Sequence, residues 1–404
     1  MPAATPIRIR RVIVERRASG ESYAAIARDL AMPYVTVRGI DRHYQQTGQL
    51  EPSYEGCRQT GVRKPAAIYG QAVALKRAHP GWGAGLIWVE LAEVFDEAAL
   101  PSVRSLQRWF RRAGVAAARR EPTQRETVRR GKAAHEVWAL DAKEQIELQD
   151  GRAVSWLTIS DEGSGAILST TLFPLKRWTQ VDPLAVKACL QAALVQWGKP
   201  ERLRMDNGTP WGTQSRLPSA LGLWLVGLGI DPVYGRPARS TDNGVVERDH
   251  GVLAQWVELD TCADFDDCQR RLGWAEVTQR ERYRAPNGYT RAQAFPALYT
   301  NPRRYALRQE PAEWELARVM AYLAQFPFRR KVGKFGQVTL FANSYSVGRA
   351  YSRQLDELQL DATTGEWVIR GDTGQEIQRH PNRELTYEQI SQLTLAKRRK
   401  HSTT

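Results

Sequence analysis

Three acidic residues constrain this chain more than anything else in it. Asp141 closes the apolar run of EVWALDA, and Asp206 closes that of LRMDNGTPW. Glu247 follows an Asn-Gly turn in STDNGVVERDHG and opens a stretch with helical character. Two strands that end on aspartates, with a helix that begins near a glutamate, can bring all three carboxylates to one edge of a sheet. Like charges held close raise one another's pKa, so such a cluster is unfavourable unless a cation neutralises it. Hard oxygen donors of this kind suit Mg²⁺ or Mn²⁺. The pattern points to metal-dependent phosphoryl transfer.

Charge distribution agrees. The chain of 404 residues carries a net charge of +14, which favours a polyanionic partner. Residues 1–134 hold 23 Lys/Arg against 12 Asp/Glu, whereas residues 135–260 hold 12 against 16, so basic arms flank an acidic centre. Cys57, Cys189, Cys262 and Cys268 form no CxxC pair, which disfavours a zinc site or a disulfide framework. Dispersed cysteines suit a reducing cytosol, and no signal-peptide core or membrane-length apolar run is present. A cytoplasmic, nucleoid-associated bacterial protein without membrane contact is expected. With no GxxxxGK[ST] phosphate loop, any ATP use belongs to a separate partner.

The N-terminal arm reads as all-α. Ser22 can cap a helix containing Ala25, Ile26 and Leu30; a turn follows at Ala31–Pro33, and a second helix runs from about Tyr34 to Gln46, stopping before Gly48. Residues 1–50 therefore read as a helix-turn-helix DNA-binding domain, with Tyr34, Thr36, Arg38 and Arg42 toward DNA and Val35 and Ile40 in the core. A plain αα-hairpin is the alternative. Residues 65–114 read as a second helix-turn-helix-like DNA-binding domain. In its last helix Val103, Leu106, Trp109 and Phe110 can pack while Arg104, Arg108, Arg111 and Arg112 face outward. Residues 115–134 are a basic linker, with Arg129 and Arg130 among the residues able to follow phosphates.

From His135 the pattern changes to strands. EVWALDA, EQIELQDG and AVSWLTISDEG are three β-like runs, and TTLFPL a further one. VDPLAVKACLQAALVQWG is a helix begun by Asp182-Pro183 and ended by Gly198. ERLRMDNG is a strand, SALGLWLVGLGI helical, DPVYGRP strand-like and GVVERDHGVLAQWVELD helical. Asn207 with Gly208, and Asn243 with Gly244, shape the turns beside Asp206 and Glu247. A helical connector spans 261–328. Residues 329–381 alternate at period two as a small β-barrel, with Lys331, Lys334 and Arg349 as candidate DNA contacts, and residues 382–404 form a basic tail.

The ordered set W-x-x-D at Trp138–Asp141, D-N-G at Asp206–Gly208 and D-N-G-x-x-E at Asp242–Glu247 resembles the DDE transposases and retroviral-type integrases. Within that superfamily it is most similar to bacterial insertion-sequence transposases, with a V-E-R element at Val246–Arg248 and a C-terminal barrel like those of phage Mu relatives. The resemblance implies an α/β ribonuclease H-like mixed sheet flanked by helices at 135–260. It implies Asp141, Asp206 and Glu247 as catalytic ligands of two divalent metal ions, Mg²⁺ or Mn²⁺. The implied activity is that of a polynucleotidyl transferase, which cleaves transposon ends and joins their 3′-hydroxyls to target DNA. Double-stranded DNA (both ends and target) and further copies of the chain, as a dimer or tetramer on DNA, are the implied partners, and an ATPase target selector stays open. Two departures stand out: 40 residues separate Asp206 from Glu247, more than in the best-known integrases, and Ala254 and Gln255 stand where many relatives carry a basic residue. Arg248 or His250 is then the DNA contact of that helix. The rival readings are a DNA-binding regulator derived from a transposase and a nuclease of the same fold. Among other carboxylates, Asp161 and Glu162 read as turn formers, Asp242 and Asp249 as capping or solvated groups, and Glu144 and Glu147 as solvent-facing.

Overall fold

The computed structural model describes residues 5–51, 65–116, 131–206, 217–235, 244–285 and 287–395. The chain divides into two compact units, Met1–Ala66 and Ala67–Thr404.

The first unit packs three helices, α1 (Ile7–Ala18), α2 (Tyr23–Asp29) and α3 (Tyr34–Thr47). Ser22 caps α2 by accepting the Ala25 amide at 3.2 Å. Gly48 ends α3 in the left-handed region, a conformation glycine adopts without steric cost. Helix α1 was not expected, because its five arginines obscure the one fully buried residue, Ile13. Ile13, Ile26, Val37 and Ile40 make the core. Val35, expected inside, is 78% exposed, and Val37 takes its place because the contact with α1 sets the phase of α3.

In the second unit α4 (Ala66–Ala78), α5 (Ala84–Leu91) and α6 (Val103–Arg112) precede a five-stranded sheet. Its strands are β1 (Val137–Glu147), β2 (Ala153–Asp161), β3 (Ile167–Phe173), β4 (Arg202–Met205) and β5 (Asp231–Tyr234), in spatial order β3-β2-β1-β4-β5. The first three form an antiparallel meander, while β4 and β5 run parallel to β1. The runs EVWALDA and EQIELQDG, expected as separate strands, are one strand. A bulge between Lys143 and Ile146, with Gln145 at φ +61°, interrupts the alternation without ending the pairing.

Both faces of the sheet are covered. Trp138, Leu140, Leu157, Ile159, Leu203 and Met205 pack with α7 (Pro183–Trp197) and α8 (Ala220–Gly227). Trp156, Val154 and Ile167 pack on the other face with α9 (Gly244–Val257) and α10 (Phe265–Val277). Helices α4 to α6, expected as a separate DNA-binding domain, share that second core through Ile68, Trp82, Leu86, Leu106 and Phe110. In α6, Leu106 and Phe110 are buried and Val103 is 38% exposed.

After α11 (Leu316–Ala324) the expected barrel is a four-stranded antiparallel sheet and a separate two-stranded ribbon. The sheet runs β11 (Glu376–Pro381), β10 (Glu366–Arg370), β9 (Leu355–Asp361), β6 (Phe328–Lys331); the ribbon pairs β7 (Gln337–Leu340) with β8 (Asn343–Ser346). No continuous hydrogen-bonded ladder closes it among the described residues. Apolar packing of Phe328, Val338, Tyr345, Leu358 and Trp367 joins the two pieces instead. Residues 382–395, expected as the start of a tail, bury Leu385, Ile390 and Leu395 around α12 (Tyr387–Ser391). Buried Glu384 accepts the Trp367 indole at 3.1 Å and the Tyr345 hydroxyl at 2.5 Å. Among the described residues no helix is long and apolar enough to cross a membrane.

Candidate active site

Strand alternation decides which face Asp141 and Asp206 occupy. Side chains on a strand point alternately to its two faces. Trp138 and Leu140 lie in the α7–α8 core, so Ala139 and Asp141 belong to the opposite face. Leu203 and Met205 likewise leave Arg204 and Asp206 on that opposite face. The parallel register pairs Val137 with Arg202 and Ala139 with Arg204. Continued by two residues, it sets Asp206 beside Asp141. Helix α9 packs on β1 and β2 on this same face, and Glu247 is the exposed residue of a first turn whose Gly244, Val245 and Val246 are buried. Two neighbouring strands and one helix thus bring the three carboxylates together.

Their mutual influence appears in the acidity of Asp141, which is pushed up to about 6. Burial is the main cause, and the negative charges of Asp206 and Glu247 add to it; the Ala142 amide and the Lys143 ammonium act in the opposite direction. An all-oxygen, anionic donor set fits a hard divalent cation and does not fit a soft metal. Among the described residues no three Asp, Glu, His or Cys side chains already stand at metal-ligand spacing.

His250, which the sequence offers as an alternative DNA contact, lies one helical turn beyond Glu247. It is 7% exposed, its Nδ1 lies 3.8 Å from Asp141 Oδ2, and its ring meets Trp156 edge-on at 5.9 Å. Burial, with the nearby Lys143 charge, lowers its pKa to about 4, so the imidazole beside Asp141 is neutral at pH 7. Its Nε2 is buried without a hydrogen-bond partner. The signal available in the sequence was the i, i+3 spacing from Glu247, which puts both residues on one helix face.

The rival carboxylates have structural roles. Asp161 accepts the His135 amide at 2.7 Å and both the amide and hydroxyl of Ser164. Glu162 pairs with Arg204 at 2.6 Å and accepts the Gly131 amide. Glu144, expected in solvent, accepts the Trp178 amide at 2.7 Å. Asp249, also read as capping or solvated, is 1% exposed; burial raises its pKa, and Arg248 lies 3.3 Å away. That ion pair is the role the structure gives the Arg248 side chain, which is otherwise half exposed.

The candidate DNA contacts are distributed over both units. In the first, Tyr34, Arg38 and Arg42 are exposed and Thr36 is half-buried. In the second, Arg104, Arg108, Arg111 and Arg112 all lie on the exposed face of α6. Gly244 is the buried first residue of α9. Asn207, Gly208, Asn243, Asp242, Arg129 and Arg130 lie outside the described residues.

Helices surround a mixed five-stranded sheet, and additional antiparallel sheets follow it. No protein-family model matches the chain. Among solved structures, it is similar to a chain of the simian T-cell lymphotropic virus intasome in complex with PP2A regulatory subunit B56 gamma. That match has 16% identity, covers 74% of this chain and 96% of the other, and has a TM-score of 0.36. The catalytic core domain of BIV integrase is 18% identical over 40% of this chain and 94% of its own, with a TM-score of 0.30. The HTLV-2 integrase catalytic core domain in complex with magnesium, in its dimeric form, is 18% identical over 41% of this chain and 97% of its own, at 0.31. Likenesses this loose do not carry a function, which has to rest on the site itself.

Proposed function

We propose that the chain is a DNA transposase of the DDE type, a polynucleotidyl transferase that cuts the ends of a DNA element and joins them to target DNA. One observation carries the reading: the parallel register of β1 with β4, continued two residues past its last pair, sets Asp206 beside Asp141, and the charges of Asp206 and Glu247 both raise the pKa of Asp141. Asp141, Asp206 and Glu247 would hold two Mg²⁺ or Mn²⁺ ions, which when bound activate an attacking oxygen and stabilise the leaving one in an in-line displacement. Water attacking a phosphodiester at the element end breaks the P–O3′ bond and frees a 3′-hydroxyl. That hydroxyl then attacks a target phosphodiester, forming one P–O bond as another breaks, with the displaced 3′-oxygen leaving. The first step converts one phosphodiester into a 5′-phosphate and a 3′-hydroxyl, the second exchanges one phosphodiester for another, and neither forms a covalent enzyme intermediate. His250 sets a neutral imidazole beside the Asp141 carboxylate, its Nδ1 3.8 Å from Oδ2. Helices α1 to α3 and the arginines of α6 bind DNA, in a dimer or tetramer that brings two ends together. Target selection by a separate ATPase is compatible with this reading.

The test is strand transfer with Mg²⁺, using pre-cleaved ends taken from the sequence flanking the gene and a supercoiled target. Wild type should give joined products, and Glu247→Gln should give none while retaining end binding. Tight end binding without products from either protein would point to a regulator instead, and cleavage without joining to a nuclease.

A further inference from the structure

A cleft of about 1050 Å³ opens in the second unit between α6 and the residues Tyr283, Arg284, Ala285 and Gly288. Trp88, Arg104, Gln107, Arg111, Tyr283 and Arg284 are among the residues lining it, and no Asp or Glu is among the described ones. Arg104 and Arg111 lie two helical turns apart, about 10.5 Å along the axis. Arg284 faces them from the other wall. Its guanidinium lies 5.1 Å from the Trp88 ring centre and bonds Glu97 at 3.0 Å, which orients it before any ligand arrives. The walls meet where Tyr283 covers Gly85: a Cβ on Gly85 would come within 2.8 Å of the tyrosine oxygen.

Arg104 and Arg111 on one wall, with Arg284 opposite them although paired to Glu97, call for an anion with more than one charge, since the planar fork of arginine matches phosphate oxygens. Arg108 and Arg112, exposed on the same helix, add positive charge beside the same two turns, more than a single carboxylate would engage. A repeating polyanion fits this length better than a small ligand or a short acidic peptide. The cleft is also fastened to the helix that carries Glu247. The Trp82 indole donates to the Trp256 carbonyl at 3.0 Å, His79 meets Glu258 at 2.7 Å, and the Tyr283 ring packs against Trp256 at 5.1 Å.

We propose that this cleft seats the sugar–phosphate backbone of duplex DNA on the same packed body as the carboxylates. Arg284 and Tyr283, from the segment after α10, are its second wall. The inference rests on the DNA-transposase reading and extends it to a surface that α6 alone would not form.

The test measures metal-free binding of the full chain by fluorescence anisotropy across a NaCl series. Two probes serve: a duplex from the sequence flanking the gene and a scrambled duplex of equal length. Each lost phosphate contact should lower the slope of log affinity against log salt by about 0.9. Arg104→Ala/Arg111→Ala should therefore lose about 1.8 and Arg284→Ala about 0.9, equally on both duplexes, with the thermal midpoint unchanged. Slopes equal to wild type in both variants would overturn the assignment, as would a loss confined to one duplex. Because no chemistry is read, failure of strand transfer leaves this result standing, and unchanged slopes would remove the cleft even if strand transfer succeeded.

Discussion

Asp161 and Glu162 close β2 just across the sheet from the β1 segment that carries Asp141, and Trp138 pairs directly with Asp161. The two groups of carboxylates nonetheless differ in the donors around them. Asp161 collects two backbone amides and a hydroxyl, and Glu162 collects a guanidinium and an amide. Asp141 faces Asp206, Glu247 and a neutral imidazole. A carboxylate that the fold itself satisfies serves stability. One set among other carboxylates is costly to the fold alone, and is the kind of arrangement kept for a ligand that arrives later. Residue type does not separate the two groups; the donors around them do.

The sharpest way to break this contrast is to neutralise one member of each group. Glu247→Gln should lower strand transfer by at least about 10³-fold, roughly 4 kcal/mol of barrier, with little change in the urea midpoint. Equal losses of activity and stability would put Glu247 with the structural group. Arg204→Met should act in reverse: leaving Glu162 buried without its cation should cost about 3–5 kcal/mol in urea unfolding. A stability change below about 1 kcal/mol would show that the pair is dispensable.

Asp141→Asn sharpens the comparison by its sign. The folded pKa of about 6 lies above the ordinary value of 3.8. The native state therefore holds this proton more tightly than the unfolded chain does. The resulting destabilisation is absent below pH 3.8, grows through the interval and is complete above pH 6. At pH 7.5 without divalent metal, Asp141→Asn should stabilise the protein by about 1–3 kcal/mol. Adding Mg²⁺ should raise the melting temperature of wild type and not that of the variant. A destabilised metal-free variant would place Asp141 with Asp161 and Glu162. The smallest effect is expected for His250→Ala. Loss of packing against Trp156 should cost on the order of 1–2 kcal/mol, with strand transfer reduced far less than by Glu247→Gln. A loss as complete as that of Glu247→Gln would make His250 a participant in the chemistry.

Much of the local structure was legible because its causes lie within a few residues. Ser22, Pro33 and Gly48 mark the ends of α2 and α3, and Asp182-Pro183 and Gly198 mark those of α7. The apolar runs before Asp141 and Asp206 marked the strand that carries the first and the strand that ends one residue before the second. Less legible were features with a split or diluted signal. The polar stretch Lys143–Gln145 made one bulged strand look like two, and the arginines of α1 hid a helix. The choice of Val37 over Val35 depended on the phase at which α3 meets α1.

What the amino-acid order determined by itself is therefore local: where helices start and stop, which runs extend, and that acidic residues fall at their ends. Only tertiary structure decided the rest. The parallel register of β1 with β4 aligns Asp141 with Asp206 across more than sixty intervening residues. The packing of α9 on that face adds Glu247 and His250, and the core shared with α4 to α6 fastens the arginine-lined cleft to the same body. Glu310 makes the same point, since a short motif around it says nothing of the Trp224, Gln191 and Tyr387 groups that bond it. Caps and strand ends follow from backbone hydrogen bonding over a few residues. Whether a carboxylate is satisfied or left for a cation depends on donors brought from distant segments, and their arrival is fixed by packing alone.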